Sequence, residues 1–155
     1  MQKEMIRDFT LKISQSNKSE LIVVMFEIMN VYFEDAKKAA SYDDFKENIR
    51  NAQAVIYDLR KSLDRKYEIS AGLYSLYSYW YKELELMVVK NDKKNLDAVA
   101  KMSLKIKEAF KEAAKADMSK PVMSNTEKVY AGLTYGKGEL AETTDITNSG
   151  RGFFA

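Results

Sequence analysis

The chain has 155 residues, 46% hydrophobic and 31% charged, which fits a single globular domain with a real core and not a disordered chain. Net charge is only +2, with 25 basic and 23 acidic residues intermixed, so no dedicated nucleic-acid surface of clustered Lys and Arg is expected. Cysteine and histidine are both absent, which excludes disulfides, zinc hydrolase chemistry and Ser-His-Asp or Cys-His catalysis.

The N-terminal stretch MQKEMIRDFTLK mixes charges of both signs and lacks an apolar block of signal-peptide length. Residues 1–16 have weak periodicity, and Met5, Ile6, Phe9, Leu11 and Ile13 suit either a short helix or an extended arm packed on the body. The apolar run Leu21–Phe33 is interrupted by Glu27 and Asn30 and is too short to span a bilayer. No membrane insertion is expected, and the lack of cysteine is compatible with a cytosolic location.

The first long helix should start at Asn17, a good N-cap with Glu20 three residues on, as a capping box requires. Running to about Ala40, it would be ~35 Å long. Its expected core stripe is Leu21, Val24, Met25, Ile28, Val31 and Tyr32, and a second apolar stripe of Ile22, Phe26, Met29 and Phe33 lies beside it. Together they cover more of the circumference than an ordinary surface helix uses. The second helix is expected from about Asp43 to Leu63, capped by Ser41 with Asp44 following, with Phe45, Ile49, Ala52, Ile56, Leu59 and Leu63 inward.

The third helix is expected from about Glu68 to Lys90, and the stretch Tyr67–Leu84 at its start holds five of the ten tyrosines and the single tryptophan. Its expected core stripe is Ile69, Leu73, Leu76, Trp80, Leu84 and Met87, flanked by Tyr74, Tyr77, Tyr81 and Val88. Asn91 and Asp92 break the pattern. Asp92 is expected to cap a fourth helix through Leu96, Val99, Met102, Ile106 and Phe110, ending near Asp117. Short connections make consecutive helices antiparallel neighbours, so the expected fold is all-α, an antiparallel up-down four-helix bundle over residues 1–117. Residues 118–155 hold the only proline and five of the six glycines and read as a largely non-helical tail. Val129, Tyr130, Leu133, Tyr135, Leu140, Phe153 and Phe154 recur along it, and part of 129–154 is expected to dock on the helices.

The acidic pairs Glu34/Asp35, Asp43/Asp44 and Glu83/Glu85 have no histidine to complete a di-iron motif and read as solvated helix faces or caps. Gly136-Lys137-Gly138 lacks Walker spacing and a following helix. No catalytic residue, cofactor or metal site is expected. The excess apolar surface instead suits a groove for an amphipathic partner helix, with Ile22, Met25, Phe26, Met29, Phe33, Tyr74, Tyr77 and Tyr81 as the partner-binding residues.

Residues 16–116 resemble the FliS family of flagellin export chaperones. The resemblance rests on Ala52-Gln53-x-x-Ile56-Tyr57-Asp58-Leu59, Leu63-Asp64, Tyr67-Glu68-Ile69-Ser70 and Leu73-Tyr74-x-Leu76-Tyr77-x-Tyr79-x-Tyr81-x-x-Leu84, in that order, with Ser19-Glu20-Leu21 at the start of the first long helix. It implies an antiparallel bundle without catalysis whose partner is the C-terminal region of flagellin, kept from early polymerisation and delivered to the flagellar export apparatus. Met25-Phe26-Glu27 stand where the family has Leu-Tyr-Asp, and Ile28-Met29 replace its Gly-Ala, so bulkier side chains reshape any groove there. The competing expectation is an oligomeric helical protein that uses the same stripes for self-association.

Overall fold

Helices alone make up the regular structure of residues 1–123, the residues described in the computed structural model. They are α1 (Lys3–Gln15), α2 (Lys18–Lys38), α3 (Tyr42–Lys61), α4 (Ile69–Lys90) and α5 (Leu96–Ala114). The docking expected of 129–154 lies outside the described residues; the first part of the tail, 118–123, is non-helical.

The N-terminal segment is a helix, not an extended arm. It has too little apolar surface to be stable alone, since short isolated helices are marginal in water. It forms against α2, where Phe9 is buried, Lys12 Nζ donates to Glu27 at 2.8 Å and the Met1 ammonium lies 3.1 Å from Asp35. These two ion pairs show α1 running back along α2.

The caps fall where the sequence puts them. Asn17 Oδ1 accepts from the Glu20 amide at 2.9 Å, and the Asn17 amide donates to the Glu20 side chain at 3.1 Å, completing the capping box. At α3, the Asp44 amide donates to Ser41 Oγ at 3.1 Å. Asp92 differs from expectation. Asn91 adopts a left-handed conformation (φ 50°) and closes α4, with the Asp92 amide donating back to the Met87 carbonyl at 3.0 Å. Asp92 Oδ1 then accepts from the Lys94 amide at 2.8 Å, so this carboxylate shapes the turn and α5 begins beyond its reach.

α2 packs against α3 and α5 and is covered by α1; α3 packs on α4; α4 and α5 scarcely touch. Phe26 is the junction of the core. Its ring centroid lies 6.3 Å from Tyr77, 6.3 Å edge-on from Trp80 and 5.6 Å from Phe110. Aromatic pairs of this kind contribute about 0.5–1.5 kcal/mol each beyond area burial. Ser103, fully buried, donates to Asn30 Oδ1 at 2.6 Å while Asn30 Nδ2 donates to the Phe26 carbonyl at 2.8 Å, which sets the register of α5 on α2.

Two expectations about faces are corrected. Within the expected core stripe of α2 only Val24 is buried; the inner face is Val23, Phe26, Met29, Phe33 and Ala36. Phe26, Met29 and Phe33, expected on a partner-facing stripe, are therefore core, as is Tyr77 on α4. Neighbours on three sides use up the wide apolar circumference, and the large rings take the centre. Burial raises the Tyr77 phenol far above its ordinary range. On α3 the expected face holds: Phe45, Ile49, Ala52, Ile56 and Leu59 are buried, with Leu63 half-buried.

The chain leaving α5 is tied to the α1–α2 junction. Asn17 Nδ2 donates to the Asp117 and Ser119 carbonyls at 3.3 Å each, Ser19 Oγ donates to the Asp117 carboxylate at 2.6 Å, and the Val122 amide donates to the Ser16 carbonyl at 3.0 Å. Replacing Asn17 by Ala removes the cap and these ties together and should cost about 1–2 kcal/mol in urea unfolding. Hydrogen bonds from Ser119, then Ser19, hold the Asp117 carboxyl down at about 2, against an ordinary 3.8. Its contribution is thus complete above pH 3.8 and lost as pH falls through about 2. Acid titration of stability should therefore be shallower over that window for Asp117→Asn than for the unmodified chain.

Candidate functional site

The apolar stripe of α4 passes from bare to buried along its length. Ile69 is 70% exposed, Leu73 and Leu76 are half-buried, and Trp80, Leu84 and Met87 are core. α5 shows the mirror image. Leu96, Val99, Ala100 and Ser103, near the turn that joins it to α4, are buried, while Ile106 and Phe110 further along are half-buried. The sparse packing of α4 on α5 and the half-buried apolar residues of each, which rest on the core, define the candidate site, an apolar wedge between the two helices. By helical spacing its walls are Ile69, Leu73 and Leu76 on α4 and Ile106 and Phe110 on α5, with Phe26 beneath Phe110. Apolar surface gathered into one seam, unlike single exposed residues, marks a partner site.

The other flank of α4 is tied to α3. Arg50 on α3 pairs with Glu85 on α4, and Gln53 Nε2 donates to both Glu85 and the Tyr81 carbonyl at 3.1 Å. Arg50, then Gln53, hold the Glu85 carboxyl below the usual carboxylate range, and Glu85 raises the Arg50 guanidinium in turn. The clasp is part-exposed and its energy is modest, but its forked geometry fixes α4 to α3. α5 is fixed to α2 by Asn30 and Ser103. No comparable polar tie joins α4 to α5 along the wedge among the described residues; Asn95 Nδ2 meets Glu83 at 3.4 Å only beside the turn.

The structure divides the expected partner-binding residues. Phe26, Met29, Phe33 and Tyr77 have no exposed surface to offer. Ile22 and Met25 are half-buried against the core, Tyr81 is half-buried, and Tyr74 is 47% exposed. Tyr74 and Tyr81 lie on the α3 flank of α4, where the Arg60 guanidinium sits 5.5 and 5.8 Å from their ring centroids. The wedge residues Ile69, Leu73 and Leu76 were expected to be core. The same stretch is open around Gly72, which has nothing within 4 Å of where a Cβ would stand. Among the described residues no helix is long and apolar enough to cross a membrane.

An all-helical body with an apolar seam between two of its helices has the form of a binding protein. Residues 1–117 match the family described as Flagellar protein FliS, and the chain belongs to that family. The match takes in α1 as well as the four longer helices. The chain is similar to the flagellar secretion chaperone FliS of Bacillus subtilis (strain 168), with 27% identity over 108 residues, covering 68% of this chain and 81% of the relative. The family is one of chaperones, not enzymes.

The burial gradient has a measurable consequence. Leu84→Ala, in the closed part of the core, should cost about 2–5 kcal/mol, whereas Leu73→Ala in the wedge wall should cost about 1 kcal/mol. Urea unfolding of the two variants checks the gradient, and equal losses would show the wedge to be closed in solution.

Proposed function

We propose that this chain is a cytosolic flagellar secretion chaperone that binds the C-terminal region of flagellin, holds it unpolymerised and presents it to the flagellar export apparatus. The observation that carries this reading is the wedge between α4 and α5, on a chain whose helices all fall within the family match. On this reading α2–α5 form an antiparallel up-down bundle in which three seams are packed and the fourth is left for the client.

Flagellin termini are disordered before assembly, and their amphipathic helical segments would expose apolar faces to one another. A helix laid in the wedge buries such a face against Ile69, Leu73, Leu76, Ile106 and Phe110 without any chemistry. Ile22, Met25, Tyr74 and Tyr81 extend the contact surface around the body, and Phe26, Met29, Phe33 and Tyr77 support it from below. The client must later be released, which suits a half-open seam better than a fully enclosed pocket.

Ile69→Asp tests the wedge with little risk to folding, because the residue is 70% exposed and an acid is favourable in the first turn of a helix. Calorimetric titration with flagellin should show affinity reduced at least about tenfold, with an unchanged melting temperature. Flagellin lacking its C-terminal segment should not bind, and full-strength binding of that truncated form overturns the proposal. Sedimentation should show a monomer that forms a one-to-one complex; a tight dimer closing the wedge would support self-association instead.

A further inference from the structure

The flank of α4 that faces α3 carries a second feature, unlike the wedge in its chemistry. Where α3 ends and α4 begins, a cleft of about 900 Å³ is lined by Tyr57, Arg60, Arg65, Tyr67, Glu68 and Tyr74, among others. Its rings are presented outward: Tyr57 is 47%, Tyr67 58% and Tyr74 47% exposed. Arg60 is the fixed point. Its guanidinium lies 5.7 Å from the Tyr57 ring centroid, 5.5 Å from Tyr74 and 5.8 Å from Tyr81, and Nη1 donates to Ser78 Oγ at 3.4 Å.

The charges around it are unevenly satisfied. Asp58 is taken by Lys61 at 3.0 Å and Asp64 by Lys66 at 3.5 Å. Among the described residues no carboxylate pairs with Arg60 or Arg65, and Glu68 is the one acid on the cleft wall. The cleft is therefore cationic as well as aromatic. A guanidinium held by three rings has already lost much of its rotamer freedom, and its remaining N–H groups form a planar fork matched to a carboxylate. Exposed tyrosines give amphipathic contact area at small entropic cost. The volume suits a few side chains of a peptide and not a folded domain.

We propose that this corner is a recognition site for an acidic, amphipathic peptide segment of a partner protein, one whose carboxylate meets Arg60 while an adjacent apolar side chain lies on Tyr57 and Tyr74. Charge complementarity selects this occupant: an apolar segment alone leaves Arg60 and Arg65 unpaired, and a basic one is repelled. The site shares Tyr74 and Tyr81 with the wider contact surface, but it does not depend on flagellin being the client. With an apolar wedge on one flank of α4 and a cationic tyrosine cleft on the other, the first half of that helix can hold two different segments at once. Linkage of the two sites through one short helical stretch gives the second segment a high effective concentration once the first is bound.

The test uses the full-length chain and a fluorescein-labelled short peptide alternating Glu with Leu, compared by fluorescence anisotropy with a matched peptide bearing Gln for every Glu. The acidic peptide should bind at least about tenfold tighter, with the margin narrowing at high salt. Arg60→Gln should abolish the margin, Arg60→Lys should restore part of it, and Arg65→Gln, at an exposed position, should reduce it without any effect on folding. Amide shifts on titration should map to residues 57–75. Equal affinity for the two peptides, indifference to Arg60→Gln, or shifts confined to α5 would overturn the proposal. Displacement of the peptide by inorganic phosphate at comparable concentration would also overturn it, by assigning the site to phosphate. None of these readouts involves flagellin, so the outcome is independent of the chaperone reading.

Discussion

The rest of the structure depends on the enclosure of α2 by α1, α3 and α5, with rings of α4 reaching its centre. Phe26 touches rings from α4 and α5, Asn30 receives the buried hydroxyl of Ser103 on α5, and Glu27 and Asp35 meet α1 from outside. A helix so placed has no face left for solvent beyond a narrow polar strip. The other helices are then positioned by what they hold on to: α5 by α2, and α4 by α3 through the Arg50–Glu85–Gln53 clasp. Each of the two outer helices is tied to a different partner. Past their turn they are linked through the Phe26 ring, which meets Tyr77 and Trp80 on one and Phe110 on the other, and the proposed wedge lies outside that contact.

The two walls of the wedge are not equally firm. The far end of α5 is pinned through Asp117 to Ser19 and to Asn17, which also caps α2, so that wall is anchored at both ends. The start of α4 has no side-chain cap: Glu68 is in the helical region with no hydrogen bond to the first-turn amides, and Ser70 Oγ bonds to the Asp64 carbonyl at 2.6 Å instead. Few buried contacts and a missing cap place this turn at the low-stability end of the molecule. The residues of the proposed partner surface thus sit on the element best able to adjust. Trp80, in the same helix, marks where adjustment must stop, because its ring is fully enclosed and its Nε1 has no hydrogen-bond partner among the described residues. An unpaired buried donor costs about 1–3 kcal/mol, which the rings packed around it offset.

Much of the fold was legible because its signals are local. Asn17 with Glu20, and Ser41 with Asp44, announce helix starts through side-chain hydrogen bonds that need no tertiary partner. The inner face of α3 was legible too, since that helix has a conventional wet side and only one possible inward face. The N-terminal segment was not, because its helix depends on α2 for burial. Asp92 misled for a related reason: a carboxylate that suits an N-cap also suits a turn, and the left-handed Asn91 before it decided the matter.

The candidate site was the least legible part, and Ile69, Phe26 and Tyr77 show why. Periodicity places Ile69 on the same stripe as Trp80 and Leu84, yet it is bare, while Phe26 and Tyr77, on the flanks chosen for a partner, are fully enclosed. The amino-acid sequence by itself determined where the long helices lie, how they are capped, that no imidazole or thiol chemistry is available, and which family the helical body resembles. Only the tertiary structure decided which apolar face is core and which is free. Spacing along a helix reports that a side is apolar, but burial depends on how many neighbours stand against that side, and neighbours are set by packing across the whole chain.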